Sequence, residues 1–164
     1  MRYLKSLLII FLLFVGISVN AETLKAGVSI DKVPQSFYGS WRVAAKVSKQ
    51  SGSVNFKPQT VDFWNLSRTG DVIKLSNPFT GAEASVKVDY VEGNLIRFTK
   101  TGKYDTNKIL TDTVDLKLSG DTFTGINSLV LETYSQIDGT LVKTDTAIYV
   151  LNGEKISGES ITGK

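Results

Sequence analysis

The sequence predicts an all-β fold: a small antiparallel up-and-down β-barrel of about eight strands. Two observations carry this expectation. Apolar residues recur at every second position from Tyr38 onward, and glycine- or asparagine-containing turns break that pattern at short intervals. Successive side chains on a strand face opposite ways, so period two describes a sheet with one packed and one wet face. A helix would need apolar residues three and four apart, and no long segment supplies them.

The elements follow in order. Residues 40–47 open the sheet, and residues 61–67 and 72–75 flank the turn Thr69-Gly70-Asp71. Val86, Val88 and Tyr90 alternate with Ser85, Lys87 and Asp89, and Glu92-Gly93-Asn94 leads into residues 95–99. Val114, Leu116 and Leu118 share a face opposite Asp115 and Lys117. Ser119-Gly120-Asp121 introduces residues 123–134, and Ile137-Asp138-Gly139 precedes residues 141–151. Each break supplies residues suited to tight hairpins. Asn152-Gly153 reads as one more turn before a last short strand around residues 155–161. Eight hairpin-connected strands left open expose two edges, which closure removes. A β-sandwich gives the same local alternation and is the alternative.

The N-terminal residues bear on destination. Arg2 and Lys5 precede an uninterrupted apolar run from Leu7 to Val15, and Val19-Asn20-Ala21 places small side chains around a cleavage point. This layout predicts a secretory signal peptide over residues 1–21, removed after Ala21. The apolar stretch is short of the roughly twenty residues an anchor needs, so no transmembrane anchor is expected after processing. Residues 22–36 read as an N-terminal arm and residues 37–164 as a single barrel domain. A periplasmic or secreted bacterial protein is expected. With no cysteine, stability must come from apolar packing and backbone pairing.

The formal charge of +3 loses Arg2 and Lys5 on processing, leaving seventeen basic residues against sixteen acidic ones. Both signs are interspersed, without the basic patch that nucleic-acid binding demands. The chain has no histidine and no cysteine, so the usual proton-transfer and thiol chemistries are missing. Asp112 and Asp115 stand three apart on a strand, face opposite ways and read as solvated sheet residues. Glu132 and Asp145 are candidate cross-strand neighbours. Asp105, Asn107 and Asp121 offer oxygen atoms in turns without a calcium-loop spacing. No enzymatic activity, cofactor or metal is expected.

Phe37-Tyr38-Gly39-Ser40-Trp41 resembles the Gly-x-Trp segment that opens the first strand of lipocalin-like and other calycin barrels. Thr144-Asp145-Thr146-Ala147-Ile148-Tyr149 matches three of the four specified positions of the lipocalin Thr-Asp-Tyr-x-x-Tyr pattern, with Thr146 in place of the first tyrosine. The resemblance implies that Trp41 plugs one end of the barrel while Gly39 permits close backbone approach. Lipocalins lay an arginine over that tryptophan; no arginine follows Arg97 here, and Lys155 is the candidate substitute. No helix is expected after the barrel. Avidin-like barrels share the layout, but two tryptophans are too few for a biotin pocket.

Aromatic residues are the functional lead. Trp64, Tyr90, Phe98, Phe123, Tyr134 and Tyr149 lie on separate candidate strands and would line an apolar cavity with hydroxyl handles if they converge. Adjacent Phe63 and Trp64 must face opposite ways. Residues 48–58 read as a loop or lid, and residues 104–107 as a rim loop. The expected function is non-enzymatic capture of a small apolar or amphipathic ligand. The alternative is a sealed envelope or host protein-interaction module.

Overall fold

A computed structural model describes residues 30–158. The expected signal peptide, the start of the arm and residues 159–164 lie outside the described residues. Eight strands follow two single 3₁₀ turns: β1 (Gly39–Ser51), β2 (Gln59–Thr69), β3 (Val72–Ser76), β4 (Glu83–Glu92), β5 (Leu95–Asp105), β6 (Lys108–Ser119), β7 (Thr122–Tyr134) and β8 (Leu141–Ser157). Every strand pairs antiparallel with its sequence neighbour, and β1 also pairs with β8, from Ser40↔Ser157 to Ser51↔Thr146. That last ladder closes the barrel and excludes the sandwich. Among the described residues no helix is long and apolar enough to cross a membrane.

Among the described residues the expected ninth strand is not a separate element, because β8 runs unbroken through Asn152 and Gly153 to Ser157. Both residues sit in ladders, opposite Ala44 and Val43 on one side and Thr124 and Phe123 on the other. Gly153 serves packing rather than a turn: a Cβ there would overlap the Phe123 ring. The β5–β6 hairpin is also longer than the apolar pattern alone indicated, with Thr106 and Asn107 as its two-residue turn. Its outer strand faces are polar, and cross-strand Thr99–Thr113 and Thr101–Thr111 hydroxyl contacts pair them at 3.2 Å.

The core follows the alternation. Trp41 and Val43 of β1, Trp64 and Leu66 of β2, Phe98 of β5, Leu116 and Leu118 of β6, Phe123 of β7 and Leu151 of β8 are all buried. Phe63 faces outward and is covered by Phe79, at 4.8 Å between ring centroids. Outer-wall charges pair across strands, as in Arg97–Asp115 at 2.5 Å and Arg42–Glu154 at 3.3 Å. Such exposed pairs contribute little each.

Candidate functional site in the barrel interior

The two barrel ends are built differently. At the plugged end, the 3₁₀ turn Gln35–Phe37 inserts Phe37 beneath the strands, and Trp41 Nε1 donates to the Phe37 carbonyl at 3.0 Å. Lys155 Nζ lies 5.0 Å from the Trp41 ring centroid and donates to the Ser36 carbonyl at 2.6 Å. Gly39 has a φ of 118°, and a Cβ there would overlap the Ser157 carbonyl, so only glycine lets the chain enter β1 this close to β8. Above this plug, Trp64 stacks on Phe123 at 5.9 Å and Trp41 tilts against the same ring at 5.1 Å. Aromatic side chains fill this half of the barrel.

The loop end carries a lid. Residues 52–58 fold back with Phe56 buried, and the Tyr149 hydroxyl donates to the Lys57 carbonyl at 2.9 Å. Asp145, itself fully buried, holds the loop: its Oδ1 accepts from the backbone N–H of Ser53 at 2.5 Å and of Val54 at 3.1 Å, while Lys143 Nζ sits 2.7 Å from Oδ2. Burial pushes the Asp145 carboxyl up, but Lys143 and the two loop amides outweigh it and leave the group below its ordinary value. Gly52, at a φ of 102°, is where the loop crosses this carboxylate, and any Cβ there would overlap it.

Between plug and lid lies a polar cluster. Lys100 Nζ stands 2.7 Å from Asp112 Oδ2, with the two side chains only 10% and 6% exposed. Asn127 Nδ2 donates to Asp112 Oδ1, while the buried Asn127 Oδ1 accepts no hydrogen bond among the described residues. Asp62, on β2, takes hydrogen bonds from Asn77 Nδ2 at 2.5 Å and from the Phe63 N–H at 2.8 Å. Burial raises the Asp62 pKa, and the Phe63 amide, Trp64 indole, Lys100 and Asn77 only partly offset that. Buried Thr60 Oγ1 has no hydrogen-bond partner among the described residues. Farther along β5, Gly102 is exposed, and a Cβ built on it meets nothing within 4 Å. By strand alternation from Phe98 and Lys100 that Cβ points inward, so beyond Lys100, where β5 has left its pairing with β4, the wall opens to solvent.

Of the six aromatic residues expected to line a cavity, Trp64, Phe98, Phe123 and Tyr149 are buried inside. Tyr90 is 43% exposed and bonds Glu92 on the outer wall, because an irregularity between Val88 and Tyr90 pairs it with outward Arg97. Tyr134 likewise bonds Glu132 on the outer face, at 3.0 Å. The expectation that Asp112 and Asp115 point opposite ways agrees with the structure, but Asp112 is not solvated. It shares the inward phase of Val114, Leu116 and Leu118 and is compensated by Lys100. Glu132 and Asp145 do not meet across the sheet: Glu132 is opposite Thr144, and Asp145 is opposite Leu131.

The interior polar residues were the part the aromatic reading missed. Each stands two positions from a buried apolar residue on its own strand: Asp62 from Trp64, Lys100 from Phe98, Asp112 from Val114 and Asn127 from Leu129. Phase was the available signal; polarity obscured it. No protein-family model matches the chain, and no curated protein matches it. The closed eight-stranded antiparallel barrel is consistent with a calycin-like fold.

Proposed function

We propose that this is an exported, non-enzymatic, lipocalin-like binding protein that captures a small amphipathic molecule in the loop-end half of its barrel. The contrast between the two halves carries this reading. The plugged half is filled by Trp41, Trp64 and Phe123, while the loop half has a latched lid, a wall that opens to solvent at inward Gly102 and buried polar groups. Lys155 over Trp41, in the place the lipocalin arginine would occupy, supports the calycin affiliation. Trp64, Phe98 and Tyr149 would supply the inner apolar surface. Tyr90 and Tyr134 would take no part in it. Asp112 is held by both Lys100 and Asn127, which favours a positioning role over proton transfer.

Native mass spectrometry of protein purified from its own cell envelope tests this. The expected result is a bound small molecule released on denaturation. Repeated recovery of ligand-free protein, with no uptake from an envelope extract, would reject capture. A second reading, docking to an envelope or host protein, is favoured by exposed Ile137, Leu141 and Val142 around the β7–β8 connection. Loss of a pulled-down partner on replacing Leu141 and Val142 by serine would support it.

A further inference from the structure

The charge arithmetic of the interior narrows what could be captured. Lys100 is the cation between two carboxylates. It contacts Asp112 directly and acts on Asp62 through space. The donors on Asp62 are neutral: the Asn77 amide and the Phe63 N–H, both on Oδ1, and the Trp64 indole. Of the other inward-facing charges in the described barrel, Asp145 is paired with Lys143 under the lid, and Lys155 lies apart at the plugged end, where it donates to the Ser36 carbonyl. The central cluster therefore has one more carboxylate than it has cations.

Hydrogen-bonding capacity points the same way. Asn127 commits its amide hydrogens to Asp112 and to the Thr113 carbonyl, leaving its fully buried Oδ1 as an acceptor without a donor. The Thr60 hydroxyl, on the same inward stripe as Asp62 and Trp64, is a second buried oxygen without a partner. A buried acceptor left unpaired is costly, and a ligand that donates to it recovers that cost. A ligand carboxylate would add a third negative charge and offer no proton.

We propose that the barrel selects molecules with a cationic, hydrogen-bond-donating head, namely amphipathic amines, through Asp62, Asn127 Oδ1 and Thr60 Oγ1. This rests on the capture reading above. The ammonium would supply the missing positive charge near Asp62 and donate to the unpaired oxygens, while its apolar part faces Phe98, Tyr149 and the underside of the lid. Exposed Gly102 marks the side on which the wall opens and the ligand would enter.

Matched probes test the head group at constant chain length: octylamine, octanol and octanoate at neutral pH, followed by interior tryptophan fluorescence and native mass spectrometry. The amine is expected to bind at least about tenfold more tightly than the carboxylate, with the alcohol between. Asp62→Asn should bring amine and alcohol within about threefold of each other, and Lys100→Gln should strengthen amine binding further. Circular dichroism establishes that each variant is folded; should Asp62→Asn not fold, the Lys100→Gln result decides. Octanoate binding as tightly as octylamine, or weaker amine binding by Lys100→Gln, would overturn amine selection and leave capture standing. Failure of all three probes to bind would reject capture and this inference together.

Discussion

Lys155 Nζ sits 5.0 Å from the centroid of the Trp41 ring and ties the entering chain to the barrel through the Ser36 carbonyl. One lysine thus joins the first strand, the last strand and the 3₁₀ turn that seals the plugged end. Trp41→Ala should cost about 3–5 kcal/mol through lost packing and the cavity left behind. Lys155→Met, which keeps the apolar stem, should cost about 1–2 kcal/mol from the lost cation–π contact and hydrogen bond. Urea denaturation of both variants measures this, and a wild-type midpoint for Trp41→Ala would refute the plug.

Gly153→Ala places a methyl group where the Phe123 ring lies. Overpacking of this kind costs about 1–3 kcal/mol. Thermal unfolding should show the loss, and Gly153→Ala combined with Phe123→Leu should be less destabilised than the two single effects added together. Additivity would mean that the ring does not occupy that space.

Lys100→Met strips the buried Asp112 carboxyl of its cation partner and should destabilise the protein by about 3–5 kcal/mol. Replacing both residues, as Lys100→Met with Asp112→Leu, should restore much of that stability because no buried charge is stranded. A double variant no more stable than Lys100→Met would argue against the pair.

The lid should loosen in acid. The folded Asp145 carboxyl lies below its ordinary value, so its stabilisation is present above the unfolded value and is lost as pH falls through the lowered folded one. Amide chemical shifts of Ser53 and Val54 should follow that titration. In Asp145→Asn the acid step should vanish and the lid amides should exchange faster at neutral pH. Asp62 has the opposite sign: its pKa is raised, so its ionised form costs stability that protonation returns as pH falls. Asp62→Asn should therefore flatten the stability profile between the unfolded and folded values of that group, and an unchanged profile would contradict it.

Period-two apolar phase and turn residues were enough, in the sequence alone, to give the strand class, nearly all the hairpins and the shared face of Val114, Leu116 and Leu118. These are local properties, set by side-chain alternation and backbone preference within a few residues. Closure was not local. Whether Trp41 meets Lys155 depends on register between strands more than a hundred residues apart, which pattern cannot encode. The same holds for Gly153, whose turn-like appearance hid a packing role opposite Phe123. It holds also for Tyr90, which an irregularity in the β4–β5 ladder turned to the outer wall. The polar interior lay between these cases. The phase of Asp62, Lys100, Asp112 and Asn127 was legible, but a lone charge in phase with a core is tolerable only when another strand brings its partner. Tertiary structure alone set Lys100 against Asp112, left Asp62 in excess and put the Asn127 carbonyl in the interior without a donor.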